Sequence, residues 1–513
     1  MTVCTILLHR LEPIMRARVI DTLSTRFQSR VELAEFHASI YRGFEISGKG
    51  LRLYPENLEQ AEPLFALNGF SFHTGWVNLL RTPMHVHQVR LNGLKINMPP
   101  KQQRKEVPHP SGKKHGIKIV VDEIACTDAL LTLGTNKPGK EPLRFAIRNL
   151  NLQSVGADRP MHFTAVLTNP KPVGDINTIG DFGPFNASDP GSTPLNGKYE
   201  FTHADLGTLK GIGGILSSTG QYKGVLNNIT VDGQTDTPDF RVDVSGNAVH
   251  LRTQFHAIVD GTNGNTYLQP VVGSFLNSSL IAKGYVVGVP GGKGHHIYLD
   301  VQMDKACIED LLTIGVKTDP PFMRGPVRLT AKLAILPGKK PVPEKLLLDG
   351  DFEVHDASFT NPKVQTKVDE MSLRASGKLE MARQESKHAD TVTVQSRMRG
   401  HFNLNHGKLT ITGVHYNLPG AEIVMNGIYT LDGNQFEFSG EVRTTARISR
   451  MMGGWKGALV TPLDPIFAKR GFGAVIPVKI TGTRSEPHFG LNLNPEPPEQ
   501  RQKELERTIV LPQ

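Results

Sequence analysis

Apolar and polar residues alternate along short stretches of the second half of the chain, and glycine-centred turns separate these stretches. Alternation with a period of two predicts β-strands with one apolar face, because successive side chains of a strand point to opposite sides. Asp432-Gly433 has the residue types of a two-residue hairpin turn. The predicted register pairs Tyr429 with Phe436 and Gly427 with Phe438. One face of this hairpin then carries four large side chains, which are Tyr429, Leu431, Phe436 and Phe438.

A second hairpin is predicted around His406-Gly407. Its register pairs Leu404 with Leu409 and Phe402 with Ile411, so that these four side chains share an apolar face while polar residues point away. A two-stranded ribbon is only marginally stable in water. Both hairpins therefore belong to a larger sheet, and what covers its apolar face decides the function.

Strands of this kind are predicted along most of the chain from residue 31 to residue 491. Four short helices are predicted, at residues 15–30, 204–217, 305–314 and 465–470. So few helices cannot supply the crossovers of a parallel sheet, so the predicted fold is mainly β and largely antiparallel. A closed barrel, a sandwich and a long open groove all satisfy the pattern.

Residues 169–197 are rich in Gly, Pro, Asn and Ser and contain few apolar residues. This composition predicts a flexible loop between two β regions, at 31–168 and 198–491. A charged tail follows at 492–513. The first thirty residues begin with a short apolar run, much shorter than the ~20 residues that span a bilayer, and continue as an Arg-bearing amphipathic helix. We interpret residues 1–30 as the remnant of a truncated membrane anchor.

The formal net charge is +9, and basic residues cluster near the N-terminus and between Lys101 and Lys118. No aromatic platform accompanies them, so nucleic acid is not an expected partner. An anionic membrane surface suits the basic N-terminus.

No catalytic motif is found in the sequence, and neither an enzyme activity nor a cofactor is predicted. Cys4, Cys126 and Cys307 are too far apart to form a zinc motif or a disulfide framework. His85 and His87 share one face of a strand, as the first two ligands of a copper or zinc site would. Because the sequence identifies no third ligand, we interpret them as structural residues and predict no metal site.

Six segments of the chain together resemble the AsmA-like proteins of Gram-negative bacteria. They are Phe201-Thr-His-Ala-Asp-Leu, Gly211-Ile-Gly-Gly-Ile-Leu-Ser-Ser, Thr237-Pro-Asp-Phe, Val259-Asp-Gly-Thr-Asn-Gly-Asn-Thr-Tyr-Leu, Ile308-Glu-Asp-Leu-Leu and Pro477-Val-Lys-Ile-Thr-Gly. The resemblance covers residues 198–491 well and the N-terminal third more loosely. These segments are turn and packing patterns, so they indicate kinship of fold more than of activity.

The resemblance implies an inner-membrane protein with a β-rich body in the periplasm, similar to chorein-type bridge-like lipid-transfer proteins. It implies an elongated, curved sheet that forms an open hydrophobic groove and carries phospholipid acyl chains between the inner and outer membranes. An outer-membrane or periplasmic protein is an expected further partner. The expected groove lining is Phe402, Leu404, Leu409, Ile411, Tyr429, Leu431, Phe436 and Phe438.

Two alternatives remain open from the sequence. The protein could instead be an assembly or scaffold factor that holds outer-membrane proteins by adding their strands to its sheet edges, without carrying lipid. It could also be a secreted β-sandwich or solenoid whose apolar faces pack on one another. In that case a charge at Phe436 would unfold the protein.

Overall fold

A computed structural model describes most of the chain between residues 12 and 492. The described residues are 12–21, 23–24, 29–39, 44–55, 62–75, 84–98, 119–133, 142–156, 159–184, 186, 189–289, 294–316, 320–338, 340, 342–385, 395–430, 435–452, 461–468, 471–483 and 487–492. The start of the expected anchor remnant, the basic loop near Lys101 and nearly all of the expected charged tail lie outside these residues.

The fold is mainly β, largely antiparallel, with few short helices, as predicted. The strands are β1 Ser29–Glu32, β2 Glu35–Ser39, β3 Phe44–Pro55, β4 Phe65–Thr74, β5 Met84–Asn92, β6 Lys95–Met98, β7 Ile119–Leu133, β8 Leu143–Val155, β9 Met161–Pro170, β10 Val173–Phe182, β11 Pro194–Asp205, β12 Ile212–Gly213, β13 Ile215–Val225, β14 Asn228–Val242, β15 Val249–Val259, β16 Thr266–Phe275, β17 Ser278–Gly288, β18 His295–Cys307, β19 Met323–Arg324, β20 Pro326–Ile335, β21 Leu346–His355, β22 Ser358–Phe359, β23 Arg397–Asn405, β24 Lys408–Leu418, β25 Ala421–Thr430, β26 Gln435–Thr444, β27 Ala474–Thr483 and β28 Pro487–Leu491.

The helical segments are short. They are α1 at residues 12–21, α2 Ile308–Gly315, α3 Val342–Lys345, α4 Pro362–Ala375, α5 Leu379–Glu385, α6 Ile448–Met452 and α7 Asp464–Phe467, with single 3₁₀ turns at Pro190–Ser192, Leu206–Thr208 and Thr461–Leu463. The predicted helix at 305–314 corresponds to α2, and the one at 465–470 overlaps α7. The predicted helix at 15–30 is too long, because Ser29 and Arg30 already belong to β1.

The chain forms two compact units. The first contains residues 1–209, 215–235 and 258–264, and the second contains 210–214, 236–257 and 265–513. In the first unit, β3 pairs with β1, β2 and β4, and a ladder runs through β5 and β7 to β11 and β13. In the second, an unbroken antiparallel ladder joins β16, β17, β18, β20, β21 and β23 to β28. The pairs β5–β7 and β6–β7 are parallel.

The prediction of a flexible loop at residues 169–197 is wrong. Val173–Phe182 forms β10, which pairs along its length with β9 on one side and with β11 on the other. A strand with hydrogen-bonded neighbours on both sides tolerates low apolar content, because β-propensity depends on the surrounding sheet. The division between the two units instead falls within β14 and β15.

Two further corrections concern helices. The helix expected at 204–217 is wrong, because only Leu206–Thr208 forms a 3₁₀ turn and the following residues belong to β12 and β13. Its internal glycines adopt positive φ at Gly211 and Gly214, which a helix does not accommodate. Conversely, α4 and α5 lie in a region where only strands were predicted.

Each unit has its own apolar core. In the first, Leu33, Phe36 and Ile46 are buried, and Met15 and Val19 of α1 pack against them. In the second, a larger cluster is centred on buried residues such as Met303, Val327 and Val354, and side chains of α2, α4 and α6 pack against it. The apolar sides of α1, α2, α4 and α6 thus pack within their own units.

Candidate functional site

The sheet of the second unit has one face that is apolar from strand to strand. Cross-strand pairing aligns two rows of side chains on this face, which we call the apolar face of the second unit. The first row is Leu299, Leu333, Leu348, Leu404, Leu409, Tyr429 and Phe436. The second row is Val301, Ala331, Gly350, Phe402, Ile411, Gly427, Phe438 and Ile480. Each row therefore crosses at least seven strands without a polar residue.

The opposite face of the same strands is polar. One row across it reads Asp300, Lys332, Asp349, Asn403, Thr410, Ile428, Glu437 and Thr481, with Ile428 as its apolar member. Neighbours in this row and the next are hydrogen-bonded or ion-paired. Asn403 Nδ2 donates to Asp349 Oδ2 over 2.9 Å, and Lys479 Nζ lies 3.0 Å from Glu437 Oε1. Polar side chains are thus concentrated on one side of this sheet and apolar side chains on the other, although Asn403 and Thr410 of the polar row are themselves buried.

A charged cluster on the polar face joins three strands. Glu422 of β25 lies 2.9 Å from His415 Nδ1 and accepts from Arg443 Nη1 over 3.3 Å. The hydrogen bond from His415, together with the nearby positive charge of Arg443, holds the pKa of Glu422 below its usual value. This cluster ties β24, β25 and β26 together from the side opposite the apolar rows.

Seven of the eight predicted lining residues lie within the two apolar rows. The predicted registers are confirmed, since Leu404 pairs with Leu409, Phe402 with Ile411, and Tyr429 with Phe436. Leu404 is only 4% exposed, and the other six are half-buried. Leu431 and the Asp432-Gly433 turn lie outside the described residues. Whether these side chains bind lipid stays a prediction.

Aromatic rings of the apolar face lie across glycines of neighbouring strands. A Cβ built on Gly350 would come within 2.9 Å of Phe402 Cζ, and one on Gly400 within 3.0 Å of Phe352 Cε1. At Gly427 the ring of Phe438 is closer still. Each ring buries one of its sides against the backbone of its own sheet. The predicted register places Phe438 opposite Gly427, whereas the contacts at Gly350 and Gly400 were not predicted.

Helices pack at one end of the apolar face. A third row, which contains Ala306, Val327, Val354, Met398, Tyr416, Ile423, Val442 and Ile476, continues the same side of the sheet. Several of its members belong to the large core cluster together with Leu311 of α2, Met371 of α4 and Met451 of α6. The apolar face is thus covered by helices at the end formed by the third row, which we call the closed end, and the first and second rows extend from there.

Asp310 anchors α2 at that closed end. Its carboxylate is 3% exposed and accepts from the backbone N–H of Asn277 over 2.9 Å and from Ser278 Oγ over 2.7 Å. Ser278 Oγ in turn accepts from the backbone N–H of Cys307 over 2.9 Å. Asp310 belongs to the segment Ile308-Glu-Asp-Leu-Leu, so this residue has a structural role that links α2 to the β16–β17 turn.

The sheet of the first unit is also apolar on one face. One row across it is Phe70, Leu91, Cys126, Leu150, Ala165, Thr178, Tyr199 and Gly220, and the next is Phe72, Val89, Ile124, Leu152, Phe163, Gly180, Gly197 and Tyr222. A groove of about 600 Å³ crosses β7 to β11 and is centred on Cys126, Leu150, Ala165, Thr178 and Tyr199. This volume is in the range of small-molecule sites.

The character of this face changes at β10. From β10 to β13, Thr178, Tyr199, Ser218 and Tyr222 place hydroxyls on it, beside the apolar Ile176 and Phe201. Tyr199 OH lies 3.1 Å from Ser218 Oγ, and Tyr222 OH lies 2.7 Å from Thr178 Oγ1. Burial raises the pKa of both tyrosines, so they stay protonated near neutral pH. The sequence analysis did not identify these hydroxyls.

His85 and His87 face one carboxylate, which the sequence did not reveal. Their Nδ1 atoms lie 3.8 Å and 3.1 Å from the two carboxylate oxygens of Asp122 on β7. In the part of the chain that the structure describes, no group of three or more His, Cys, Asp or Glu side chains is arranged to hold a metal ion. Across the same residues, none of the helices has the length and apolar character to cross a bilayer.

Comparisons with protein-family models, with curated proteins and with solved structures found no match.

Proposed function

We propose that this protein binds the acyl chains of phospholipids on the apolar faces of its sheets and supports phospholipid transport between the inner and outer membranes. The observation that carries the proposal is the pair of apolar rows in the second unit, with a hydrogen-bonded polar face behind them. The proposed location, the periplasmic face of a Gram-negative inner membrane, rests on the resemblance to AsmA-like proteins.

The rows have dimensions that suit hydrocarbon chains. Neighbouring strands lie about 4.8 Å apart, so a row that crosses seven strands extends over roughly 29 Å. One leaflet of a bilayer has a hydrocarbon thickness of roughly 15 Å, half of the bilayer core. A full acyl chain can therefore lie along a row. Each CH₂ that it buries contributes about 0.8 kcal/mol, so binding requires no catalytic or ionic group on the surface.

The proposal is tested by the lipid content of the purified protein and by uptake of a fluorescent phospholipid. Phe436→Asp places a charge in the first row, and we expect it to abolish uptake because a carboxylate cannot be buried against an acyl chain. Gln435→Asp is the matched control, since Gln435 is the preceding residue on the same strand, is exposed and points to the polar face.

Three results would contradict the proposal. The first is a wild-type protein that neither retains nor takes up phospholipid. The second is Phe436→Asp protein that stays folded and still takes up lipid. The third is global unfolding by Phe436→Asp but not by Gln435→Asp, which would mean that the apolar face is packed against the protein's own side chains. A factor that acts through strand edges would retain its binding of outer-membrane proteins in the folded Phe436→Asp variant.

A further inference from the structure

The hydroxyls of the first unit begin at the β10–β11 end of the 600 Å³ groove. Thr178 and Tyr199 belong to the groove lining, in the same cross-strand row as Ala165 and Leu150. If a lipid lies with its chains along β7 to β9 and its polar end toward β13, that end comes near β10 and β11. The chemistry of these hydroxyls therefore bears on which part of a lipid the groove accepts.

Each tyrosine ring lies against a glycine of the neighbouring strand. A Cβ on Gly220 would lie 2.8 Å from Tyr199 Cε1, and one on Gly197 would lie 2.5 Å from the hydroxyl oxygen of Tyr222. The absent side chains let both rings lie across the backbone. The two hydroxyls thus have fixed positions on the face.

The hydrogen-bond partners of the two tyrosines differ in one respect. Thr178 Oγ1 donates to the carbonyl oxygen of Lys198 over 2.9 Å, so its bond with Tyr222 uses the phenolic proton of Tyr222. Ser218 is only 6% exposed and lies beside Tyr199. If Tyr199 donated to Ser218, the buried proton of Ser218 would need another acceptor, and a buried donor without an acceptor is costly. We therefore assign Ser218 as the donor and Tyr199 as the acceptor of this bond. The phenolic proton of Tyr199 is then directed to the groove.

We propose that Tyr199 donates a hydrogen bond to an ester carbonyl of a glycerolipid bound in the groove of the first unit, with Ser218 as its positioning residue. The inference rests on the proposed function, since it assumes that acyl chains lie on the apolar face. Beyond the proposed function, this hydrogen bond would make the groove prefer ester-linked lipids. It would also fix the position of the glycerol backbone, because the ester carbonyls are attached to it.

The surroundings of Tyr199 favour a neutral acceptor over a phosphate. Its cross-strand neighbours on this face are Thr178 and Gly220, and the adjacent row contributes Gly180 and Gly197. Lys198 borders the groove, but Lys198 and Lys223 alternate with Tyr199 and Tyr222 along their strands, so their side chains leave from the opposite face of the sheet. A phosphate oxygen would accept the same proton, but the neighbours of Tyr199 in its own row and in this adjacent row carry no positive charge. An ester carbonyl requires only the hydroxyl donor.

The test compares an ester-linked phospholipid with its ether-linked analogue, which has the same chains and headgroup but no carbonyls. Competition binding to the full-length protein should show that the wild type prefers the ester roughly threefold to tenfold, as expected for one neutral hydrogen bond. Tyr199→Phe should remove this preference and leave the affinity for the ether lipid unchanged. Tyr222→Phe is the matched control and should keep the preference, because the proton of Tyr222 is already bound to Thr178.

Binding of the ether lipid also reports whether the groove is intact. If Tyr199→Phe does not fold, the double variant Tyr199→Phe/Ser218→Ala removes both members of the hydrogen bond and leaves no buried hydroxyl without a partner. Equal wild-type affinities for the two lipids would overturn the inference and leave the proposed function intact. Equal loss of the preference in Tyr199→Phe and Tyr222→Phe would also overturn it. If the wild type bound neither lipid, the proposed function itself would fail.

Discussion

Gly427 is the position where the smooth apolar face depends most directly on the absence of a side chain. A Cβ added there would come within 2.5 Å of Phe438 Cε1 and closer to two other atoms of that ring. Carbon atoms in contact are about 3.5 Å apart, so the ring must move by at least 1 Å or so. The backbone at Gly427 is extended and can be adopted by alanine, so the clash is the main consequence of Gly427→Ala.

Overpacking costs about 1–3 kcal/mol, and because three ring atoms lie within 2.5 Å of the added Cβ, we expect Gly427→Ala in the upper half of that range, about 2–3 kcal/mol. Replacing a glycine by alanine in a compatible conformation contributes about 0.4–1 kcal/mol in the opposite direction, so the net effect remains destabilising. For a unit of this size, 1 kcal/mol corresponds to about 2–4 °C in Tm. We therefore expect Tm to fall by about 2–10 °C in thermal unfolding followed by circular dichroism.

Two further variants make this prediction specific to the ring. A Cβ on Gly490 of β28 would have no neighbour within 4 Å, so Gly490→Ala should leave Tm unchanged or raise it slightly. Phe438→Leu removes the ring, and in that background Gly427→Ala should cost much less, because residues in contact are energetically coupled. An unchanged Tm in the single Gly427→Ala variant would refute the argument that Phe438 lies on the glycine.

Two other predictions concern groups that stabilise the sheet. Because the pKa of Glu422 is lowered in the folded state, its charge stabilises the fold above its unfolded pKa, and this contribution is lost as pH falls through the folded value. Glu422→Gln should therefore lower Tm near pH 7 but not near pH 3, and an equal effect at both values would contradict the assignment. Asp310→Ala removes the acceptor of two hydrogen bonds and should cost roughly 1–3 kcal/mol in urea unfolding, whereas the exposed Asp304→Ala should have little effect.

The hairpin registers could be predicted from sequence because they depend on local chemistry. His406-Gly407 has positive φ at both positions, as the predicted turn requires. Once this turn is placed, a side-chain period of two assigns Phe402, Leu404, Leu409 and Ile411 to one face without any knowledge of the remaining sheet. The same reasoning correctly paired Tyr429 with Phe436.

The missed helix α4 did leave a signal in the sequence. Val364, Val368, Met371 and Ala375 are spaced by four, three and four residues, as on one side of a helix. Pro362 begins the helix, and Gly377 follows it with a φ of +78°. Strands precede and follow this segment, so its helical period is easily overlooked within a long strand pattern.

Strand β10 and the hydroxyls beside it could not be predicted in the same way. Val173–Phe182 contains glycines where a buried strand would have larger residues, because atoms of the neighbouring strand β11 occupy that space. A Cβ on Gly174, for example, would lie 2.8 Å from Phe201 Cε2 of β11. The reason for each glycine is therefore a residue that is distant in sequence. Likewise, Thr178 and Tyr222 are 44 positions apart and meet only through the sheet.

The pairing of aromatic rings with glycines explains how a sheet with one apolar face can be stable while that face stays available for the proposed binding of acyl chains. An apolar face normally needs a second layer to bury it. Here each ring already buries one side against the backbone of a neighbouring strand, as Phe402 does at Gly350 and Tyr199 at Gly220. The sheet itself thus supplies part of the burial, and the other side of each ring is the surface on which we propose that acyl chains bind. Replacing these glycines should therefore weaken folding and lipid binding together, whereas Phe436→Asp should affect binding alone.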